Sequence, residues 1–434
     1  MRAYDIIFKK RWNKILSSSE IDFMVKGFVK GVIPNYQMSA FLMAVAINGM
    51  NTDETLSLTK SFVDSGDIIN LSSIPGIKVD KHSSGGVGDT TTLVIAPIVA
   101  AAGIPVAKMS GRGLGHSGGT IDKLESIPGF STKISKNDFI NQVKDIGIAV
   151  VGKIGNVVPA DKLIYALRDV TATVDSLPLI ASSIMSKKIA GGADAIVLDV
   201  KVGSGAFIED EEKVEKLAKI MVNIGKGFGK KTRAIITDMS QPLGNAIGNS
   251  LEVEEAIKVL KGNGSSDLRE VCINIAANML LLGEKVKDLE EGIELTKEIL
   301  TSGRGLDKFK QFISHQGGNS NIVEDISLLT KARYEDELLA KYNGFISKID
   351  CKQIGIASII LGAGREKKED IIDPSVGIVM EKRLGDNVKI KDKICKINGN
   401  DFSKIEEAKK ILEKSVEISK KRVRKPILIK KIID

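Results

Sequence analysis

The chain has 434 residues, 43% of them hydrophobic and 27% charged, and this length predicts two or three domains rather than one small core. Its formal charge of +8 comes from 63 basic against 55 acidic residues, so a small anionic ligand is enough to account for the excess. Aromatic residues make up only 4%, too few for the stacking surfaces that bind single strands, and we expect no nucleic-acid partner.

Apolar residues recur at helical spacing from Asp5 to Asp64, with breaks at 17–19, 31–34 and 51–52. These breaks divide the segment into four helices. Side-chain oxygens of Ser19, Asp22 and Thr52 are expected to cap the free amides where helices begin. We assign residues 1–65 to the first part of a small all-helical domain.

From about Ile74 the pattern changes to short β-branched runs that alternate with helices, which is typical of an α/β domain. Strands are predicted at Lys78–His82, Val106–Met109, Ala195–Val202 and Arg233–Asp238. Amphipathic helices are predicted at Glu212–Ile224, Glu252–Leu260, Leu268–Leu282 and Leu289–Leu300. We assign residues 66–161 and 194–340 to one large α/β domain.

Two further segments complete this division of the chain. A helical stretch, Lys162–Ile189, interrupts the strands and is expected to pack against the N-terminal helices, so residues 162–193 form the second part of the helical domain. Short strands with turn signals follow Tyr342, and residues 341–434 are predicted as an α+β unit that is β-rich and barrel-sandwich-like. No lysine stands where such modules carry a prosthetic group, and we expect no organic cofactor.

The apolar stretch 91–107 contains two prolines and a glycine and is shorter than the ~20 apolar residues that cross a bilayer. The first residues lack the pattern of a secretory signal. Cys272, Cys351 and Cys395 are odd in number and form no CxxC pair, which argues against a disulfide framework. We expect a cytoplasmic protein without a membrane partner.

Two glycine-rich segments join a predicted strand to a predicted helix: "KVDKHSSGGVGDTTTL" (78–93) and "AKMSGRGLGHSGGTIDKLESIPG" (107–129). Such junctions present backbone amides and a helix N-terminus to an anion. Neither segment contains a P-loop or a dinucleotide-binding motif, and the alternative is that the glycines only permit tight turns. The candidate phosphate-binding side chains are Lys81, Ser83, Thr92, Lys108, Ser110 and Thr120.

Longer motifs resemble one family. The run "SGRGLGHSGGTIDKLESIPG" is similar to the signature of the thymidine and pyrimidine-nucleoside phosphorylases, with Ser117 where threonine is usual. "KHSSGGVGD" resembles the family's first phosphate loop, with Ser84 where threonine is common. "YALRDVTATVDS" and "IASSIMSKKIAGGADAIVLDVKVGSGAF" resemble its base-binding helices, so the resemblance covers essentially the whole chain.

The resemblance implies the same phosphate residues and places a pyrimidine against His82, Arg168, Ser183 and Lys187, of which His82, Arg168 and Lys187 are the catalytic candidates. Ser183 and Lys187 are four residues apart, so on a helix they share one face. The competing interpretations are an ion pair between Arg168 and Asp169 and a solvated Lys187–Lys188 face. His116 is interpreted as structural.

The resemblance also implies a homodimer and a monovalent cation site. The matching positions are Gly88, Thr90, Leu243, Ala246 and Glu255. Only Glu255 has an anionic side chain, which suits a weakly held ion such as K⁺ better than a transition metal. The alternative is that Glu255 is an ordinary surface charge on a helix.

The implied reaction is phosphorolysis of uridine, deoxyuridine and thymidine, with phosphate as co-substrate. Phosphate and base sites fall on different domains, so closure of a hinge must assemble the site. Lys108 in "PVAKMSG" favours enzymes of broad pyrimidine range over a thymidine-specific one. Two competing hypotheses are a transferase like anthranilate phosphoribosyltransferase, with Mg²⁺ near Asp194 and Asp199, and a catalytically silent nucleoside-binding protein.

Overall fold

The structure is a computed structural model that describes residues 1–113, 115–367 and 369–434. Its helices are α1 Ala3–Arg11, α2 Ser18–Val29, α3 Asn35–Asn48, α4 Thr52–Val63, α5 Thr91–Ala101, α6 Thr120–Glu125, α7 Lys136–Ile146, α8 Pro159–Arg168, α9 Leu177–Ala190, α10 Glu211–Gly227, α11 Asn249–Leu260, α12 Ser266–Leu282, α13 Leu289–Thr301, α14 Arg304–His315, α15 Cys351–Leu361 and α16 Phe402–Ser415. Its strands are β1 Val79–Ser83, β2 Val106–Met109, β3 Ile148–Val151, β4 Ala195–Val202, β5 Lys231–Asp238, β6 Ala246–Ile247, β7 Tyr334–Leu339, β8 Gly344–Ile349, β9 Gly377–Met380, β10 Asn387–Val388, β11 Lys393–Gly399, β12 Val416–Ser419 and β13 Ile429–Ile433.

The N-terminal segment forms four helices, as predicted, but two of its caps differ from those expected. Helix α2 begins with a capping box in which Ser17 and Glu20 satisfy each other's backbone amides, and α4 begins with the same arrangement of Asn51 and Glu54. The prediction of Ser19, Asp22 and Thr52 was therefore wrong. A glutamate three residues into the helix reaches back to the cap, which fixes the first helical residue one or two positions earlier than expected.

Helices α8 and α9 pack against the N-terminal helices, as the sequence predicts. The contact between α4 and α9 includes a buried hydrogen bond from Thr59 Oγ1 to Ser182 Oγ of 3.0 Å. The apolar core of these helices continues onto one face of β4 and β5 through Ile196, Leu198 and Ala234. The helical part and the sheet are thus joined by one continuous core.

The central sheet has the order β1-β4-β5-β13. Strands β1, β4 and β5 are parallel, and every residue of β4 is buried. Alternate β4 residues enter different cores, since Ala195 and Val197 pack with α5 and α12 while Ile196 packs with the helical part. Both faces of the central sheet are therefore covered, which is typical of parallel strands. The predicted α/β class, with a helical domain and a C-terminal β-rich part, is confirmed.

Strands from the last part of the chain pair with strands of the α/β part. Strand β13 pairs antiparallel with β5, and β6 and β7, which precede residue 341, form one sheet with β9 and β11. The boundary at 341 stays a prediction, but strands that precede it pair with strands that follow it in two sheets. In the described parts of the chain, no helix combines the length and apolar character needed to span a bilayer.

Candidate active site

The first glycine-rich loop begins at the carboxyl end of β1, beside β4. Lys81 Nζ lies 3.0 Å from Asp199 Oδ2 and donates to Thr91 Oγ1 at 2.5 Å. Ser83 Oγ donates to Asp89 and accepts the amide of Gly85 at 3.2 Å. Glycine is favoured at position 85 because its φ is +94°. The loop thus turns back over the strand and delivers the chain to the N-terminus of α5.

The second loop begins at the end of β2 and leads to α6. Asp122 holds it closed, because its carboxylate accepts the Gly113 amide at 2.7 Å and Arg112 Nη1 at 2.8 Å. The loop folds back so closely that a Cβ on Gly119 would lie 2.0 Å from the amide nitrogen of Gly113. Leu114 lies outside the described residues. This loop carries Ser110, half-buried, and Thr120, the first residue of α6.

Three of the six predicted phosphate residues line one small cavity between β1, β2 and α5. The cavity is lined by Lys81, Thr92, Ile95, Ala96, Val106, Lys108 and Met279. Ser83 is the last residue of β1, Ser110 directly follows β2, and Thr120 is the first residue of α6. Lys108 Nζ lies 3.3 Å from Asp80 Oδ1 and donates to the carbonyl of Lys81. The predicted set is brought to one end of the strands, in two groups.

The surroundings of these loops hold an excess of positive charge. The ammonium groups are those of Lys81, Lys108, Lys123, Lys188 and Lys201. Asp80, Asp199 and Glu252 form ion pairs with them, and the Asp89 carboxylate interacts with Lys81, Lys201 and Lys123 through their charge. Five lysines against four carboxylates leave one positive charge uncompensated within this cluster when Lys108 is protonated. Such a cluster is suited to an added anion, since buried charges need partners.

Three pKa shifts follow from this arrangement. Burial opposes ionisation of Asp89, but Lys81, Lys201 and Lys123 hold its pKa well below the usual range. Burial and the neighbouring lysines lower the pKa of His82 well below its ordinary value, so its imidazole is neutral near pH 7. Burial likewise lowers the pKa of Lys108 to about 7, where small changes of environment alter its charge.

The residues predicted to contact a base lie on α8 and α9. Lys187 Nζ is 2.7 Å from Asp161 Oδ2 and donates to Ser183 Oγ at 3.1 Å, so the four-residue spacing does place Ser183 and Lys187 on one face. The Lys187 side chain is 52% exposed. Asp161 is buried, and its Oδ1 has no hydrogen-bond partner among the described residues. A charged acid is therefore fixed beneath a reachable lysine.

Arg168 turns its guanidinium into the protein. It donates to the carbonyls of Thr173, Leu179 and Val174 at 3.3, 3.2 and 2.8 Å. These contacts order the turn between α8 and α9, while Asp169, the alternative ion-pair partner, is exposed. A guanidinium has five N–H donors, so this use leaves donors over for a ligand.

The five predicted cation residues lie together. A Cβ on Gly88 would lie 2.9 Å from the Leu243 carbonyl oxygen and 3.1 Å from that of Ala246, so both carbonyls point at the first loop. Thr90 Oγ1 donates to Glu252 at 2.7 Å, and Glu255 accepts the Ala246 amide at 2.9 Å. Glu255 is thus buried rather than a surface charge. These are carbonyl, hydroxyl and carboxylate oxygens, the ligand type that hard cations prefer, and the described residues include no cluster of three His, Cys, Asp or Glu side chains.

Two residues that join the two halves of the site were not predicted from the sequence. Asp80 was not singled out, and Lys188 was considered only as part of a solvated face, whereas both are less than a tenth exposed. Lys188 Nζ lies 2.7 Å from Asp80 Oδ2 and 3.2 Å from the Met109 carbonyl oxygen. An aspartate inside a β-branched buried strand is the signal that could have indicated the first of them. His116 contacts the Gly205 carbonyl at 3.3 Å and Phe207, a packing contact.

Comparison with known proteins agrees with this geometry. Residues 76–306 match the glycosyl transferase family, a/b domain, residues 4–66 its helical bundle domain, and residues 345–419 the pyrimidine nucleoside phosphorylase C-terminal domain. Anthranilate phosphoribosyltransferase from Thermus thermophilus has a TM-score of 0.55 and 17% identity, over 72% of this chain and 99% of that chain. That likeness concerns the fold alone.

Relatives of known name are much more similar. The pyrimidine-nucleoside phosphorylase of Staphylococcus epidermidis is 54% identical over 433 residues, which is 100% of both chains. That of Geobacillus stearothermophilus is 54% identical over 429 residues, or 99% of both, and that of Staphylococcus aureus strain N315 is 53% identical over 433 residues, again 100% of both. The resemblance inferred from the motifs is therefore confirmed, and the chain belongs to the pyrimidine-nucleoside phosphorylase family.

Proposed function

We propose that this enzyme cleaves the N-glycosidic bond of uridine, deoxyuridine and thymidine with inorganic phosphate, giving the free base and an α-(deoxy)ribose 1-phosphate. The observation that carries the proposal is the cluster of buried lysines on and beside β1, β2 and α9, with the reachable Lys187 next to Lys188, which belongs to that cluster. Full-length identity of 53–54% to enzymes of that name supports the same reaction.

Phosphate is held in this proposal by Lys81, Ser83, Thr92, Lys108, Ser110 and Thr120. One phosphate oxygen attacks the anomeric carbon as the bond to the pyrimidine nitrogen breaks, and the bonding electrons leave with the base. Because phosphate itself is the nucleophile, no catalytic triad is needed. The excess of one ammonium group in the cluster, present when Lys108 is protonated, supports binding of the anion, and holding phosphate beneath the sugar supplies effective concentration.

The leaving pyrimidine gains negative charge, which Arg168, Ser183, Lys187 and His82 are proposed to stabilise. Lys187 is fixed by Asp161 and Ser183 before substrate arrives, so it needs little reorganisation. Neutral His82 can donate a hydrogen bond without bringing a second positive charge to the sugar, which becomes cation-like. The base proton is then taken from solvent.

Closure of a hinge between the helical and α/β parts is proposed to bring both substrates together. The connection from α9 to β4 passes through Gly191 and Gly192, and Gly192 has a φ of +86°. A Cβ there would lie 2.3 Å from the Ile69 carbonyl oxygen, so no larger residue fits. Small-angle scattering should show a more compact particle when phosphate and uracil are both added, and an unchanged particle would contradict closure.

Absorbance-monitored release of uracil or thymine tests the reaction. We expect release from uridine, deoxyuridine and thymidine to require inorganic phosphate, and the sugar product to be a 1-phosphate. Release that ignores phosphate would overturn the proposal, and binding without release would favour a silent nucleoside-binding protein. Activity on thymidine alone would favour the thymidine-specific alternative.

A monovalent cation is proposed to bind Gly88, Thr90, Leu243, Ala246 and Glu255, where it would hold the first phosphate loop against the loop after β5. Replacing K⁺ by N-methylglucamine, which is too large for this set of oxygens, should lower turnover and lower the unfolding temperature together. K⁺ should restore both properties. Equal activity and equal stability in the two salts would contradict the site.

A homodimer is proposed from an exposed apolar face. Tyr4 and Phe8 on α1 and Trp12 directly after it follow one another at four-residue spacing and are 65%, 48% and 60% exposed. Neighbouring α3 exposes Tyr36 and Ile47 as well. Sedimentation equilibrium should give twice the mass of one chain. We also propose a cytoplasmic location, where the three free buried cysteines stay reduced, and cell fractionation would test it.

A further inference from the structure

Three buried side chains from three elements meet between the phosphate strands and the helix that carries Lys187. Asp80 lies on β1, Lys108 on β2 and Lys188 on α9, and each is less than a tenth exposed. Asp80 Oδ1 lies 3.3 Å from Lys108 Nζ, and Asp80 Oδ2 lies 2.7 Å from Lys188 Nζ. One carboxylate therefore bridges two ammonium groups on different parts of the fold.

The bridge joins the two halves of the site directly. Lys188 follows Lys187 on α9, so the two side chains leave the helix about 100° apart, one to Asp161 and one to Asp80. Lys188 also donates to the Met109 carbonyl at 3.2 Å, between Lys108 and Ser110. A movement of α9 would therefore reach the end of β2 through Lys188, because its contacts with Asp80 and with the Met109 carbonyl are short and both charged side chains are buried.

We propose that Asp80 and Lys188 are positioning residues that fix the place and the charge of Lys108, and thereby link the base-binding helix to the phosphate site. The proposal rests on the proposed function, in which Lys108 meets phosphate as an ammonium group. Neither residue needs to touch substrate, since both act through Lys108.

The charges around Lys108 come from two packed elements. Strand β1 contributes Asp80, Lys81 and His82, and α9 contributes Lys188, whereas Thr92 on α5 and Met279 on α12 do not titrate. Burial lowers the pKa of Lys108 most, Asp80 raises it, and Lys188 and Lys81 lower it. Removing the carboxylate and removing the second ammonium group must then move this pKa in opposite directions.

The test compares kcat/KM for phosphate across pH in the variants Asp80→Asn and Lys188→Met. Binding requires the Lys108 ammonium, so kcat/KM falls as pH rises through its pKa. We expect Asp80→Asn to move this fall to lower pH and Lys188→Met to move it to higher pH, each by about one pH unit. Lys188→Arg keeps the charge and should leave the fall in place. The titration of phosphate itself is common to all variants, so differences report the protein.

Lys10→Met is the matched control, because Lys10 and Glu54 form a buried ion pair of 2.8 Å in the helical part. It should lower stability without moving the pH profile. Shifts in the same direction for Asp80→Asn and Lys188→Met, or no shifts, would overturn the proposal. A wild-type enzyme that releases base without phosphate would instead overturn the proposed function.

If the substitutions prevent folding, inhibition of the wild-type enzyme by sulfate provides a second test that needs no variant. Sulfate keeps its charge between about pH 6 and pH 9, whereas Lys108 loses its proton in that range. We expect the inhibition constant of sulfate to rise about tenfold or more across the range, as an ammonium contact is lost. An inhibition constant independent of pH would show that no such group titrates at the site and would overturn the proposal.

Discussion

Replacing Lys187 by methionine should lower kcat by about 10² to 10³ while the protein stays folded, because a donor to the developing negative charge on the base is lost. The same change leaves buried Asp161 without its 2.7 Å partner, which also lowers stability. The cost should be below the about 3–5 kcal/mol of a fully buried pair, since Lys187 is half exposed. Steady-state kinetics and urea unfolding measure the two effects.

A second substitution separates these effects. In Lys187→Met with Asp161→Asn, the stranded charge is gone, so stability should return while kcat stays low. Lys162→Met removes an exposed lysine from the next position on α8 and should change neither. Full recovery of kcat in the double variant would show that Lys187 only neutralises Asp161.

Replacing Lys81 by methionine should lower kcat/KM for phosphate by about 10² or more and destabilise the fold by about 3–5 kcal/mol. Lys81 and Asp199 are almost completely buried, and Asp89 also depends on this ammonium for its low pKa. The loss of one cation leaves two acids with fewer partners in a dry environment. Phosphate-dependent rates and chemical unfolding check both parts.

Lys201→Met is the matched control for that variant. Lys201 Nζ lies 2.8 Å from the same Asp199 oxygen and is equally buried, but it does not line the cavity. We expect a similar loss of stability with a much smaller effect on phosphate. Equal losses of kcat/KM in the two variants would contradict a direct contact between Lys81 and the anion.

Most helices and strands of the fold could be predicted from local signals in the sequence. Strand β4 matches its predicted bounds, and β2 does too, because β-branched runs flanked by glycine leave little choice of conformation. Strand β13 was missed, since "IKKII" alternates weakly and its pairing with β5 depends on a strand far earlier in the chain. Its position is decided by tertiary pairing, for which a short lysine-containing run gives no local signal.

In the candidate site, too, some residues have a local signal in the sequence and others depend on tertiary contacts. Glycines and hydroxyls near a strand end indicated the phosphate loops, because anion binding there uses local backbone geometry. The environment of Lys188 could not be predicted, since a pair of lysines near a helix end is usually solvated. It is buried only because α9 ends over β1, a contact that no periodicity encodes. The environment of Arg168 could not be predicted either, because its carbonyl partner at Thr173 lies in an irregular turn.

Strand β13 has a consequence for how the enzyme is made. Ribosomes deliver the chain from its N-terminus, so β5 emerges long before the residues that cover its edge. Until β13 has been made, the sheet that holds Lys81 and Asp199 offers an open row of backbone donors and acceptors to other nascent chains. A message truncated before the codons of β13 should therefore yield aggregated protein rather than a shortened enzyme.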